Sequence, residues 1–315
     1  MEFLFRMKFW LKKLIVAIIG LLPSRKIRRW AKEYFFVPRF KLGGGTRTLC
    51  GGRIAVAFCF DKNLERHAMT TICSLLENSR GVAHYDIYCI TDSGLTAKYE
   101  KLVATLDIES TIKFIAPTND FDKPKYGWPV SVYYRLMLPK LLPGVARVVY
   151  ADIDGVFMSD LAAAASFDME GSPIAGCRDI GPGYINSGFL IMDLEKMRRE
   201  KSYDDFVYLQ KFDFKYPDQD IINIVFKNRI AYLPWEYNFR PVDAKDMIKT
   251  RLQSYKDWRR LKRHLVYVHF HWQPKPWNGL RVMGSLWKRF SIDAQAVLSK
   301  QAPYHSIGGL PKDDK

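Results

Sequence analysis

The chain has 315 residues, of which 48% are hydrophobic and 14% aromatic, and its formal net charge is +16. This composition excludes a largely disordered protein and leaves room for one large α/β domain or two small ones. Residues 1–41 carry +9 of the net charge, so the remaining chain is only mildly basic and we expect no nucleic-acid partner. The five cysteines show no Cys-x-x-Cys spacing, which argues against a zinc site or disulfide framework and favours a reducing compartment.

Residues 1–41 combine aromatic, apolar and basic side chains. The apolar run Leu14–Leu22 is nine residues long, whereas a helix that spans a bilayer needs about 20. Basic residues flank the run on both sides, and no small-residue cleavage site follows it. We therefore predict a basic amphipathic helical segment that lies on an anionic membrane surface. The alternatives are a signal anchor or true membrane span, and a helix packed on the domain.

A glycine-rich linker is predicted at residues 42–52, and it lacks the Gly-Lys-Ser/Thr ending of a phosphate-binding loop. Apolar runs then alternate with helical patterns, which predicts a mostly parallel sheet with right-handed crossovers. Residues 53–280 are predicted to form this domain, and residues 281–315 a C-terminal helix and tail. The predicted strands are Ile54–Phe60, Asp86–Thr91, Thr111–Ala116 and Val148–Ala151. The predicted helices include one around Met69–Leu76, then Leu95–Leu106, Val132–Leu142, Ala162–Ser166 and Glu195–Gln210.

The central motif is Asp152-Ile153-Asp154, which directly follows the apolar strand Val148–Ala151. Side chains alternate along a strand, so we expect both carboxylates on one side and Ile153 on the other. Two adjacent carboxylates repel each other unless a cation lies between them, and hard divalent cations prefer oxygen ligands. A divalent metal site is one interpretation, and a solvated acidic strand end is the other. No Gly-x-Gly-x-x-Gly follows a strand, so a dinucleotide cofactor is not indicated.

Several motifs in fixed order make residues 53–280 similar to glycosyltransferase family 8, which includes bacterial lipopolysaccharide galactosyl- and glucosyltransferases and glycogenin. The motifs are Asp61-Lys62-Asn63, Tyr134-Arg135-Leu136, Tyr150-Ala-Asp-Ile-Asp154, Asn186-Ser187-Gly188, Asp218-Gln219-Asp220-Ile-Ile-Asn223 and His269 with Lys275-Pro-Trp277. The resemblance implies a GT-A fold, which is α/β and Rossmann-like with a mixed, mostly parallel central sheet and helices on both faces. It also implies a UDP-sugar donor, a divalent cation and retention of anomeric configuration.

The resemblance also implies roles for particular residues. Metal ligands would be Asp152, Asp154 and His269, with Mn²⁺ as the expected cation and Mg²⁺ as the substitute. Lys275 would reach the donor phosphates. Donor contacts would come from Phe58, Asp61, Asn63, Arg135, Asp152, Ile153, Asp154, Asn186, Ser187 and Lys275. The candidate catalytic residues are Asp179, Asp218, Gln219 and Asp220.

Two positions depart from the family pattern. Leu64 stands where the family usually has an aromatic that stacks on uracil, and Trp272 stands where it commonly has a glycine near the phosphates. Trp272 therefore leaves open which of His269 and His271 serves the metal. The sequence identifies no residue as a nucleophile. We favour same-face transfer, with the leaving UDP as base, over attack by a carboxylate nucleophile.

The leading hypothesis is a retaining α-glycosyltransferase that moves galactose or glucose from a UDP-sugar to a saccharide or glycolipid acceptor. Lipopolysaccharide core or another surface glycan is the expected acceptor. Together with residues 1–41, this implies a cytoplasmic protein, peripheral on the inner membrane. The alternative is a catalytically degenerate relative that binds nucleotide-sugar or membrane without turnover.

Overall fold

The computed structural model describes residues 52–92, 97–179, 183–241, 264–279 and 283–299. The predicted membrane segment 1–41, most of the linker 42–52 and the tail beyond residue 299 lie outside this range. Within it, none of the helices has the length and apolar character needed to cross a bilayer.

The strands of the described residues are β1 (Arg53–Cys59), β2 (His84–Ile90), β3 (Thr111–Ile115), β4 (Arg147–Ala151), β5 (Gly155–Phe157), β6 (Ile174–Arg178), β7 (Ile185–Asp193), β8 (Ile230–Leu233) and β9 (Tyr267–His269). A seven-stranded sheet in the order β3-β2-β1-β4-β7-β6-β8 forms the centre of the fold. Pairs β1–β2, β2–β3, β1–β4 and β6–β8 are parallel, whereas β7 runs antiparallel to both β4 and β6. The mixed, mostly parallel sheet predicted from the sequence is therefore confirmed.

Helices cover both faces of the sheet, because the central strands are apolar on both sides. The helices are α1 (Glu65–Asn78), α2 (Ala97–Leu106), α3 (Leu138–Leu141), α4 (Ala162–Ala165), α5 (Leu194–Arg199), α6 (Ser202–Leu209), α7 (Pro217–Val225) and α8 (Gly284–Ser299). In β1, Val56 and Phe58 belong to the core beneath α1, α2 and α8, while Ala57 belongs to the core beneath α3, α5, α6 and α7.

A second, two-stranded ladder connects the centre of the chain to its C-terminal part. Strand β5 pairs antiparallel with β9, so that Gly155 lies opposite His269. A third core cluster, which includes Val156, Val268, Phe270 and Trp287, lies around this ladder. The ladder therefore fixes the segment around His269 directly beside the segment that follows β4.

Two predicted helices are wrong in detail. Residues Val130–Met137 form a 3₁₀ helix, and the α-helix α3 begins only at Leu138. Pro139 lacks the N–H that a continuous α-helix needs but fits its first turn. The predicted helix Glu195–Gln210 is divided into α5 and α6 at Lys201, whose φ of 55° is left-handed although the residue is not glycine.

Candidate active site

The candidate site lies where several strand ends meet. The carboxyl ends of β1 and β4 reach one edge of the sheet, where ligands of such sheets bind. Because β7 is antiparallel to β4, its beginning lies at the same edge, and the Asp152 backbone N–H donates to the Gly188 carbonyl at 3.0 Å. The β5–β9 ladder brings His269 to this edge from the far end of the chain.

Contacts to its backbone fix the position of the Asp-x-Asp segment. Ile153 is buried in the core, and the Thr71 hydroxyl of α1 donates to the Ile153 carbonyl at 2.7 Å. The carboxylates of Asp152 and Asp154 point instead towards His269, on the side away from the Ile153 side chain. The alternation expected from the sequence thus presents both carboxylates to one site.

Asp152, Asp154 and His269 form a cluster whose ligand atoms all lie within 4.8 Å of one another. His269 Nε2 is 3.5 Å from Asp152 Oδ2 and 3.1 Å from Asp154 Oδ1. Asp154 Oδ1 is buried and faces His269 Nε2. When Nε2 carries no proton, this buried anionic oxygen has no donor, which is costly unless a cation binds there, so this donor set fits a divalent metal.

Lys275 contributes a fixed positive charge beside the cluster. Its ammonium forms an ion pair with Asp154 and donates to the His271 carbonyl at 3.0 Å. Burial alone would raise the pKa of Asp154, but Lys275 and His269 hold that pKa well below its usual value. Trp277 stacks on His67 of α1, with ring centroids 3.9 Å apart, and this contact anchors the loop that carries Lys275.

Arg135 connects the metal cluster to helix α7. Its guanidinium is buried on the 3₁₀ helix, with Nη2 2.8 Å from Asp152 Oδ1 and Nε 3.2 Å from Asp218 Oδ2. Asp152 Oδ1 also accepts from the Tyr150 hydroxyl at 2.5 Å. Burial raises the pKa of Asp218, whereas Arg135 opposes that rise. Arg135 was predicted to contact the donor, and the structure shows it orienting two carboxylates of the site.

Asn186 and Ser187 lie at the beginning of β7 and face the first turn of α7. Gln219 Oε1 accepts from the Asn186 side-chain amide and from the Ser187 backbone N–H, each at 3.0 Å. The Ser187 hydroxyl donates to Asp218 at 2.7 Å. Asp179 accepts from the amides of Asn186 and Gln219 at 3.1 and 3.2 Å. The structure therefore brings the predicted residues of β6, β7 and α7 into one hydrogen-bonded group.

Asp220 is engaged in a different way from its neighbours. Its carboxylate accepts from the Tyr184 hydroxyl at 2.5 Å and from the Tyr216 backbone N–H at 2.9 Å. Tyr216 is the N-cap residue of α7, so the second contact satisfies one of the helix's otherwise unpaired N–H groups. Through these contacts Asp220 stabilises the beginning of α7. A catalytic role for Asp220 remains a prediction.

The predicted uridine contacts lie at the end of β1. Asp61 caps the short 3₁₀ helix Lys62–Leu64 by accepting from the Asn63 backbone N–H at 2.9 Å. Asn63 is exposed, so its side chain is accessible to a ligand. Phe58 is different, since its ring is fully buried against Phe157. A donor contact through the Phe58 side chain is therefore excluded.

The structure distinguishes His269 from His271, whose roles as metal ligand the sequence left open. Among the described residues, His269 belongs to the metal cluster and His271 does not. Burial, with the nearby charge of Arg240, lowers the pKa of His271 to about 2. Trp272 is 50% exposed beside His271, whereas Leu64 packs against the core.

Sequence reasoning missed Asn238 and Arg240, which follow the short 3₁₀ helix Trp235–Tyr237. Asn238 is fully buried, with Oδ1 2.9 Å from His269 Nδ1, and Arg240 Nη1 is 2.8 Å from Asp179 Oδ1. No motif or spacing marks either residue. The only available signal was that polar side chains directly follow an aromatic, apolar stretch.

Gly188 is also required at this site, because a Cβ there would lie 2.1 Å from His269 Cε1. We predict that Gly188→Ala displaces the His269 ring, weakens divalent-cation binding and destabilises the fold by about 1–3 kcal/mol through overpacking. Gly144→Ala is the matched control, since a Cβ at Gly144 meets nothing within 4 Å. Cation titration and thermal unfolding of both variants test this, and equal cation binding by the two would contradict it.

Comparison with known proteins identifies the family and the relatives of this chain. The family described as glycosyl transferase family 8 matches residues 55–280. The chain is 25% identical over 248 residues to the lipopolysaccharide 1,2-glucosyltransferase of Escherichia coli K12, which covers 71% of this chain and 72% of the relative.

Two solved structures share the fold. The glycosyltransferase GlyE of Streptococcus pneumoniae superposes with a TM-score of 0.62 at 22% identity, over 79% of this chain and 63% of that protein. Galactosyltransferase LgtC, solved with donor and acceptor sugar analogues, has a TM-score of 0.62 at 20% identity, over 80% of this chain and 98% of LgtC. The fold is thus the GT-A fold of nucleotide-sugar-dependent glycosyltransferases. The chain belongs to glycosyltransferase family 8.

Proposed function

We propose that this protein is a retaining α-glycosyltransferase that transfers galactose or glucose from a UDP-sugar to a saccharide acceptor. The observation that carries the proposal is the cluster of Asp152, Asp154 and His269, in which the buried Asp154 Oδ1 faces His269 Nε2 at 3.1 Å. These three residues would hold Mn²⁺, or Mg²⁺ in its place. The bound cation would neutralise the charge that develops on the leaving UDP.

Lys275 and Arg135 prepare the site for an anionic donor. The Lys275 ammonium pairs with Asp154, and it would move onto a donor phosphate once a cation occupies the carboxylates. Arg135 orients the Asp152 carboxylate through their ion pair. Asp61 and Asn63, at the end of β1, would bind the uridine.

The hydrogen bonds and ion pairs of the acidic side chains favour retention through same-face attack. Asp179 is paired with Arg240, Asp218 with Arg135 and Ser187, and Asp220 with Tyr184. A carboxylate that already accepts strong hydrogen bonds is a poor nucleophile, because attack would break them. We therefore assign Asp179 and Gln219 to holding the donor sugar and the leaving UDP to accepting the acceptor's proton.

The acceptor is proposed to be lipopolysaccharide core or another cell-surface glycan. Support comes from the similarity to a lipopolysaccharide 1,2-glucosyltransferase. The eleven basic residues within 1–41 support binding to an anionic surface, with the protein on the cytoplasmic face of the inner membrane. Deletion of residues 1–41 should then abolish binding to vesicles that contain anionic lipid, and unchanged binding would contradict this part of the proposal.

The test of the proposal is UDP release from a panel of UDP-sugars without acceptor, with Mn²⁺ and with EDTA. Slow release from one sugar, lost in EDTA, is the expected result, and it would name the donor. Leu64 and Trp272 favour a second candidate, a relative that binds nucleotide-sugar without turnover. Nucleotide binding without release, even with lipopolysaccharide core acceptors added, would support that candidate and contradict transfer.

A further inference from the structure

The imidazole of His269 can bind a cation through Nε2 only if Nε2 carries no proton. Hydrogens are not seen directly, so the tautomer must be derived from the partners of the ring. In this protein a chain of side-chain amides runs from Gln219 through Asn186 and Asn238 to His269, and each amide has one donor end and one acceptor end.

Backbone N–H groups fix the direction of this chain, because they can only donate. The Ser187 N–H donates to the Gln219 side chain at 3.0 Å, so the accepting atom is the Gln219 oxygen. The Gly188 N–H donates to the Asn186 side chain at 3.0 Å, so the Asn186 oxygen is the atom that accepts there. The Asn186 nitrogen consequently points at Gln219 Oε1 and at Asp179, both of which are acceptors.

The orientation of Asn238 follows from that of Asn186. The Asn186 oxygen lies 2.8 Å from the side chain of Asn238, so the Asn238 atom that faces it must be the donating nitrogen. The Asn238 oxygen therefore faces His269 Nδ1 at 2.9 Å. Backbone pairing holds the two residues in register, since the His269 N–H donates to the carbonyl of Phe239 at 2.8 Å.

An oxygen opposite Nδ1 requires a proton on Nδ1. We propose that Asn238 is a positioning residue that fixes His269 in the Nδ1–H tautomer and thereby presents the Nε2 lone pair to a divalent cation between Asp152 and Asp154. Nε2 faces two carboxylate oxygens at 3.1 and 3.5 Å, so three acceptors converge on one point. The inference rests on the metal site of the proposed function and explains how its nitrogen ligand is prepared.

The direct test is ¹⁵N NMR of histidine-labelled, metal-free wild-type protein, recorded at increasing alkaline pH until the His269 ring is neutral, because only a neutral ring has a pyridine-like nitrogen. The chain has six histidines, and the His269 signals are assigned by their loss in His269→Gln. We expect the pyridine-like nitrogen to be Nε2. A pyridine-like Nδ1 would overturn the proposal, and this measurement requires neither cation nor transfer activity.

Variants test the consequence for cation binding, measured as the Mn²⁺ dissociation constant of folded protein. Asn238→Leu removes the acceptor and should weaken Mn²⁺ binding about 10- to 100-fold. Asn238→Asp retains an acceptor opposite Nδ1 but loses the donor to the Asn186 oxygen, so it should recover only part of the lost Mn²⁺ affinity. Asn78→Leu is the matched control, because the half-buried Asn78 donates to the Ser74 and Phe157 carbonyls and does not belong to the amide chain.

The outcomes separate a positioning role from a structural one. Equal Mn²⁺ affinity of Asn238→Leu and wild type, or equal weakening by Asn238→Leu, Asn238→Asp and Asn78→Leu, would overturn the proposal. If Asn238→Leu does not fold, the tautomer of His269 measured by ¹⁵N NMR in the wild type tests the proposal by itself. A wild type that shows the Nδ1–H tautomer but binds no Mn²⁺ would contradict the proposed metal-dependent function and leave the role of Asn238 in fixing the tautomer intact.

Discussion

Asp154→Asn is expected to abolish metal-dependent sugar transfer, with a loss of at least about 100-fold in kcat/KM. The substituted amide would offer one neutral oxygen in place of two anionic ones, at the position where the buried wild-type Oδ1 faces His269 Nε2. The side chain keeps its shape, so the core beneath Ile153 is not disturbed. The loss should therefore be one of chemistry and cation affinity rather than of folding.

Transfer rates and thermal unfolding of the same Asp154→Asn preparation check this expectation. Asp168→Asn is a suitable control because Asp168 accepts from the Glu170 backbone N–H in an exposed loop, away from the strand ends of the site. The control should retain wild-type transfer. Full activity of Asp154→Asn would contradict the assignment of the Asp-x-Asp motif.

Arg135→Met is expected to lower the free energy of unfolding by about 3–5 kcal/mol, since it leaves two largely buried carboxylates without their shared cation. Arg135 lies between Asp152 and Asp218, whose side chains are 23% and 11% exposed. Arg135→Lys should recover only part of the loss, because a single ammonium cannot reproduce the planar guanidinium that contacts both carboxylates.

Denaturant unfolding of metal-free protein measures this effect. The control is Arg229→Met, which removes an ion pair with Glu200 in which the side chains are 47% and 30% exposed. That change should cost less than about 1 kcal/mol, because solvent screens surface ion pairs. Similar losses for Arg135→Met and Arg229→Met would show that the buried pairing is not what stabilises this part of the fold.

The sequence predicted the parallel half of the sheet because its strands are continuous apolar runs between helical patterns, as in β1 and β4. The site required more than local patterns. His269 lies 115 residues after Asp154, and nothing local indicates that β9 pairs with β5. The resemblance to family 8 supplied this association, and the ladder gives its physical basis.

Other features depended on tertiary packing and left no local pattern. Lys201 adopts a left-handed conformation that sequence reasoning assigns to glycine or asparagine, so the break between α5 and α6 was missed. The resemblance to family 8 assigned Phe58 to the donor site, yet the alternation of β1 places its ring in the core. Asn238 and Arg240 act through partners that are distant in sequence.

The most direct measurement of the central claim is electron paramagnetic resonance of Mn²⁺ bound to the protein in the presence of UDP. One bound Mn²⁺ per chain is expected, with hyperfine coupling to an imidazole nitrogen that disappears in His269→Ala. His271→Ala should retain the coupling, because His271 lies outside the cluster formed by the described residues. Absence of bound Mn²⁺, or a nitrogen coupling that persists in His269→Ala, would contradict a cation held by Asp152, Asp154 and His269.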